Sequence, residues 1–239
     1  MDGNGRWAQK RHRPRVFGHV RGARRLIAVV READRLGVQA LTVYAFSTEN
    51  WIRPDSELRV LWKLMKKFLE REVRSLDREN VRLRVIGEVD RVPADLQKTI
   101  AEVTKRLEKN TGLQFTLAVS YGSRKEILLA TQSLALECEQ SGRDIKASTE
   151  ADLERHLWTA CLGDLSTVDL VVRTSGEKRV SNFLLWQSAY AEFSFIDICW
   201  PDFMPAHLEQ VVRDFGSRER RYGGVQSSPA KRTELESLA

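Results

Sequence analysis

Glycine, arginine and carboxylate residues gather at a few points of this 239-residue chain. The first is Asp2-Gly3-Asn4-Gly5-Arg6. The second is Ser47-Thr48-Glu49-Asn50-Trp51-Ile52-Arg53-Pro54. The third is Arg173-Thr174-Ser175-Gly176-Glu177, closely followed by Arg179 and Ser181. The fourth is Glu192 with Asp197. Gly3 and Gly5 permit backbone conformations and close approaches that side chains forbid. A glycine-rich turn can aim successive N–H groups at a phosphate, although a bare pair of glycines also makes an ordinary tight turn. The spacing is neither GxxxxGK[ST] nor GxGxxG, so neither ATP nor a dinucleotide is indicated. Arginine grips phosphate oxygens with a two-pronged fork. Arg6, Arg15, Arg53, Arg173 and Arg179 all fall in loops or at strand ends, which favours a polyanion site over scattered surface charge. Asp2 and Glu192 are either ion-pair partners of these arginines or ligands of Mg²⁺, which combines carboxylate and phosphate oxygens. Residue types alone leave those two readings level.

The elements that must position these residues follow from hydropathy. Short runs rich in β-formers cover Val38–Phe46, Val81–Ile86, Leu113–Ser120, Val168–Arg173 and Glu192–Ile198. Helical periodicity covers His19–Leu36, Asp55–Glu79, Ala94–Lys109, Arg124–Gln140, Glu150–Leu157 and His207–Arg221. Apolar strands alternating with helices indicate a parallel sheet covered on both faces. In such a sheet, ligands bind beyond the carboxyl ends of the strands, where the polar clusters fall. No linker divides the chain. The expectation is one α/β domain over residues 1–224, with a twisted, mainly parallel sheet and a polar tail over 225–239. Within Asp55–Glu79, Leu58, Leu61, Trp62, Met65, Phe68, Leu69 and Leu76 form one stripe, which periodicity reads as core-facing. A greasy channel wall would have the same pattern.

Charge is unevenly placed. Residues 1–31 hold nine Lys and Arg against Asp2, a local +8, which leaves −2 for the remainder of a chain of net charge +6. That front end would also suit a nucleic acid, but no RRM, KH or zinc-finger pattern accompanies it, so no nucleic-acid partner is expected. No run approaches the ~20 apolar residues of a membrane span, and the first residues lack the apolar stretch of a secretory signal. Cys138, Cys161 and Cys199 are odd in number and far apart, which speaks against a disulfide framework or a zinc site. The expected location is the reducing cytoplasm.

Taken together, Asp2-Gly-Asn-Gly-Arg-Trp7, Phe17-Gly-His19, Ser47-Thr-Glu-Asn-Trp51 with Arg53-Pro54, Arg173-Thr-Ser-Gly-Glu177 with Arg179-Val-Ser-Asn-Phe183, and Trp200-Pro-Asp-Phe203 resemble the signature blocks of the cis-prenyltransferases. The blocks run in family order from residue 1 to about Gly224. The resemblance implies an Mg²⁺-dependent enzyme that adds isopentenyl diphosphate repeatedly, in cis, to an allylic diphosphate such as farnesyl diphosphate. Its long-chain product would serve as carrier lipid for cell-wall glycans. The DDxxD motifs of the trans-prenyltransferases are absent. By position, Asp2 is the carboxylate that handles Mg²⁺ and the diphosphates, joined at the metal by Glu192. Gly3, Asn4, Gly5, Arg6 and Trp7 lie in the block that cradles the allylic diphosphate, with Arg15 and His19 adding contacts. Arg173, Arg179 and Ser181 hold isopentenyl diphosphate. Ser47, Glu49, Asn50, Trp51 and Arg53 belong to a mobile loop that closes over the substrates, with Asn50 among the catalytic residues. Ala45 and Leu113 lie toward the far end of a hydrophobic tunnel, so Leu113→Ala is expected to lengthen the product. Arg221-Tyr222-Gly223 matches an element that reaches a partner's site, which implies a homodimer. A lipid product implies transient membrane contact.

Three departures from the family pattern stand out. Ser123 and Ser175 occupy positions where many members have glycine. The family's first strand, ahead of the Asp-Gly-Asn-Gly-Arg block, is not in the sequence, so the sheet is expected to lack it. An inactive or scaffolding relative is the alternative that this departure raises.

Overall fold

A computed structural model describes residues 1–218. Its helices are α1 (Asn4–Gln9), α2 (Arg15–Arg35), α3 (Asp55–Arg78), α4 (Ala94–Arg106), α5 (Ser123–Ser141), α6 (Glu150–Glu154) and α7 (Pro205–Gly216). Its strands are β1 (Ala40–Ser47), β2 (Arg82–Ile86), β3 (Gln114–Tyr121), β4 (Leu170–Arg173) and β5 (Glu192–Phe195). Every strand expected from sequence is present, with ends shifted: β1 and β3 start later and run one residue further, and the other three are shorter. The helix expected from His19 begins four residues earlier, because Pro14 supplies a fixed φ just ahead of it. Arg221-Tyr222-Gly223 and the 224/225 boundary lie outside the described residues.

All three strand pairings are parallel, as expected, but the strands form two sheets: β1-β3-β2 and β4-β5. β3 is central to the larger one and is almost wholly buried. Its alternate residues serve two apolar clusters. Phe115, Leu117 and Val119 join the main core with α2, α3 and α4, whereas Ala118 and Tyr121 join a smaller cluster with Leu184. Through Val119 that is the period-two placement of a strand covered on both faces; Tyr121 changes face because Ser120, with φ +49°, turns the backbone just before it. β1 and β4 are only partly buried. The runs 37–47 and 164–174 line a cavity of about 1040 Å³ between the two sheets. Near its carboxyl end β1 slips register against β3, which leaves Ala45 without a partner.

α3 illustrates how the core is built. Asp55 and Glu57 sit in its first turn, where the helix dipole favours acids. Leu58, Trp62, Phe68, Leu69 and Leu76 are buried along one stripe, each contributing about 1.5–3 kcal/mol on removal from water. The core-facing reading of the stripe therefore holds. Leu61, at its margin, lines the cavity. Leu113 does not: it is 2% exposed in the core, just ahead of β3. The structure therefore places it in the core and not among the residues that line the cavity.

Candidate active site

The Asp2–Arg6 turn is fixed by close backbone approach. Gly3 has φ +90°, and a Cβ there would come within 2.7 Å of the Ser175 Cβ. α1 then crosses α2 at Gly18 and Gly22, one turn apart, where added Cβ atoms would lie 1.9 Å from the Asn4 carbonyl oxygen and 2.2 Å from Asn4 Oδ1. The chain ahead of the helix is tied to the end of β4 and to the segment after β5. The Asp2 N–H donates to Thr174 Oγ1 at 3.0 Å, Thr174 Oγ1 donates to the Asp2 carbonyl at 3.0 Å, and the Trp200 N–H donates to that carbonyl at 2.9 Å. Asp2 thus reaches the carboxyl ends of the strands.

Two cationic clusters flank this turn. On the Asp2 side, Arg173 donates to Asp2 Oδ2 at 2.9 Å, to Ser181 Oγ at 2.7 Å and to the Arg179 carbonyl. Arg6 lies 3.7 Å from Asp2, pairs with Glu177 at 2.9 Å and donates to Ser175 Oγ. Arg179 pairs with Glu177. Burial opposes the charge on Asp2, but the Arg173 hydrogen bond, the Gly3 N–H and the Arg173 charge outweigh it and hold the carboxyl below its usual range. On the Gly5 side, Glu57 gathers Arg53 at 3.1 Å, His19 Nε2 at 3.5 Å and Arg15 at 3.6 Å. The Arg15 guanidinium lies over Gly5, close enough that a Cβ there would meet it at 2.9 Å. Burial and the Arg53 charge push His19 below the ordinary imidazole value, and Glu57 offsets this only in part. At neutral pH the ring is therefore neutral.

Most of the residues singled out from sequence converge here. Asp2, Asn4, His19, Ser47, Glu49, Asn50, Arg53, Arg173, Arg179, Ser181 and Ala45 line the cavity, whose mouth is polar and whose depth is apolar, with Val29, Leu41 and Leu61. Arg6, Arg15, Gly3 and Gly5 stand at its rim through the contacts above. Four residues do not converge: Trp51, which packs between Phe46 and Trp62, and three others. Trp7 is 6% exposed, stacks on Phe17 at 5.9 Å and packs away from the cavity mouth, so its place is in the core. Leu113 is the second. Glu192 is the third: it opens β5 opposite Leu170, while Phe195 stands opposite Arg173. Three residues of strand, roughly 10 Å, separate its backbone from the end where Asp2 sits, and its carboxylate pairs with Arg218 at 2.8 Å. Among the described residues, no group of three or more His, Cys, Asp or Glu could hold a metal ion.

The segment expected to form a loop is a 3-10 turn, Thr48–Ile52. Asn50 Oδ1 accepts from the Ser47 N–H at 3.3 Å. Trp51 packs between Phe46 and Trp62 and donates to Ser120 Oγ at 2.9 Å, so this turn is folded down onto the core. Sequence reasoning missed Glu57, Ser175 and Asn182. Glu57 reads as a dipole-complementing acid, and its only local signal is Arg53 four residues earlier. Ser175 has φ +73°, a left-handed conformation that favours glycine, and its hydroxyl meets Arg6.

Residues 1–223 match the family model described as "Putative undecaprenyl diphosphate synthase". The chain belongs to that prenyltransferase family. It is 45% identical over 225 residues to the isoprenyl transferase of Halalkalibacterium halodurans, covering 94% of this chain and 87% of that one. It is 44% identical over 223 residues to the ditrans,polycis-undecaprenyl-diphosphate synthase, farnesyl-diphosphate specific, of Shewanella oneidensis, covering 93% and 80%. Lavandulyl diphosphate synthase from Lavandula x intermedia, solved with dimethylallyl diphosphate, superposes with a TM-score of 0.91 at 32% identity, covering 94% of this chain and 95% of that one. The protein is a prenyltransferase with the α/β fold of this family.

Proposed function

We propose that the protein condenses isopentenyl diphosphate, repeatedly and in cis, onto an allylic diphosphate such as farnesyl diphosphate, giving a long polyprenyl diphosphate. The observation that carries this reading is one cavity with two cationic clusters at its mouth and apolar walls below. A prenyl diphosphate has the same division, a multiply charged head and a hydrocarbon tail.

The Arg15, His19 and Arg53 cluster, with the Gly3–Arg6 turn, holds the allylic diphosphate. Arg173, Arg179 and Ser181 hold isopentenyl diphosphate. Cleavage of the allylic C–O bond leaves a diphosphate anion and a carbocation-like carbon, and fixed guanidinium groups stabilise the charge growing on the leaving group. Holding the two heads on either side of one turn orients the reacting carbons. The turn carrying Asn50 and Trp51 excludes water, which would quench the cation. Asp2 has the donor chemistry to hold Mg²⁺: its side chain is 38% exposed beside the diphosphate cradle. Mg²⁺ commonly takes one or two carboxylates and completes its shell with substrate oxygens and water. Bound there, it would supply further charge neutralisation of the leaving diphosphate.

A second copy of the chain and, for release of product, a membrane surface are the partners this reading proposes. Analytical ultracentrifugation and vesicle flotation measure them. None of the helices among the described residues is long and apolar enough to cross a membrane.

The function is tested by incubating the protein with farnesyl diphosphate, labelled isopentenyl diphosphate and Mg²⁺, then extracting lipid. The expected result is label in a polyprenyl ladder, lost in Asp2→Ala. No labelled lipid from the unaltered protein would overturn the reading.

A further inference from the structure

Three segments meet at one point beside the mouth. They are the end of β3 at Gly122, the 3-10 turn after β1, and the loop between β4 and β5. A Cβ at Gly122 would lie 2.6 Å from Thr48 Oγ1 and 2.7 Å from Asn182 Nδ2. Asn182 joins all three. Its Nδ2 donates to Glu49 Oε1 at 3.0 Å, its Oδ1 accepts from the Arg124 N–H at 2.9 Å, and its carbonyl accepts from the Ser123 N–H at 2.9 Å. The backbone there is left-handed at two consecutive residues, Ser181 with φ +53° and Asn182 with φ +61°, a conformation that asparagine tolerates and bulkier residues resist. Immediately before it, Ser181 Oγ accepts from Arg173 at 2.7 Å, and Arg173 continues to Asp2.

We propose that Asn182 is a positioning residue for the prenyl-transfer site. It latches the Glu49 turn to the Ser181 loop and thereby sets Ser181 and Arg173 at the geometry that receives isopentenyl diphosphate. The inference rests on the assignment of that substrate to Arg173 and Ser181. The side-chain chemistry is specific. The amide offers a donor to the Glu49 carboxylate and an acceptor to the Arg124 N–H at once. Aspartate keeps the acceptor, loses the donor, and sets two carboxylates against each other. Alanine loses both. The Asn182 bond also helps hold the Glu49 carboxyl below its usual range despite partial burial.

The test exchanges donor and acceptor. Asn182→Asp, Asn182→Ala and the double variant Asn182→Asp/Glu49→Gln are compared with the unaltered protein, each checked for folding by near-ultraviolet circular dichroism. In the double variant, the amide placed at position 49 donates to the carboxylate placed at position 182, and the bond returns with its ends reversed. Loss of a hydrogen bond to a charged group corresponds to roughly a tenfold effect. Asn182→Asp is therefore expected to raise KM for isopentenyl diphosphate about tenfold, with a smaller change in kcat and in KM for farnesyl diphosphate. The double variant is expected to recover most of that loss. A residue serving stability alone would not separate the two substrates. Inorganic pyrophosphate affinity, measured by calorimetry on the same set, is expected to follow the same order. Equal constants for Asn182→Asp and the unaltered protein, or a double variant no better than Asn182→Asp, would overturn the latch. Should the unaltered protein transfer no prenyl group, the proposed function fails, and the pyrophosphate series still decides the latch.

Discussion

Glu57 is the carboxylate on which the second cationic cluster depends, and replacing it by glutamine has two opposite consequences. Its side chain is 14% exposed and is the counterion of Arg53, Arg15 and, when protonated, His19. The hydrogen bond from Arg53 at 3.1 Å is charge-assisted and largely buried, worth about 1.5–3 kcal/mol. The Arg15 contact is half exposed at 3.6 Å and adds at most a few tenths. Glutamine keeps an acceptor but not the charge, so Glu57→Gln should cost about 2 kcal/mol in the free protein. For a chain of this size that is a fall in Tm of roughly 4–8 °C. A diphosphate bound at the same arginines then meets no competing carboxylate. Its affinity should rise by at least about threefold, the effect of removing one nearby like charge screened by solvent. Differential scanning fluorimetry over a pyrophosphate titration reads both quantities at once. The expected pattern is a lower Tm without ligand and a larger ligand-induced rise. A variant with unchanged Tm and weaker pyrophosphate binding would refute the reasoning that Glu57 is a placeholder for the diphosphate.

Other outcomes follow from the same geometry. Native His19 resists protonation, so the unfolded state binds the extra proton as pH falls below about 6.5. Stability should therefore decline from neutral pH toward pH 5.5, and His19→Gln should flatten that slope in urea midpoints. Ala45→Phe, placed on the cavity wall, should shorten the polyprenyl ladder on thin-layer chromatography. Leu113→Ala should instead lower stability by about 2–5 kcal/mol with no change of ladder length.

The sequence made the mouth of the site legible because it could be read from residue type and strand order alone. Arg53, Arg173 and Ser181 follow the apolar runs of β1 and β4, and parallel strands send their carboxyl ends to one edge, whereas Asp2 follows no apolar run and is read from its motif. The place of Glu192 could not be read this way because it depends on register: it begins its strand, and the pairing with Leu170 puts it at the end away from Asp2 of the same chain. Trp51 read as part of a loop, yet its ring is taken up by Phe46 and Trp62, contacts that bring together residues of separate elements. Asn182 was hidden for a different reason. Its role comes from a left-handed backbone at a junction of three segments, and no periodicity marks such a place. The division into two sheets was equally invisible, since each strand alone has the composition of a buried parallel strand.

The central claim is that two separate cationic clusters receive two different diphosphates. Arg15 and Arg179 test it most cleanly, because both side chains are substantially exposed, at 48% and 63%, and their loss should leave the fold intact. Steady-state kinetics of Arg15→Gln and Arg179→Gln, with farnesyl and isopentenyl diphosphate varied in turn, give the decisive comparison. Arg15→Gln is expected to raise chiefly KM for farnesyl diphosphate, and Arg179→Gln chiefly KM for isopentenyl diphosphate. If both variants shift the same constant, or neither shifts any, the assignment of one substrate to each cluster is contradicted.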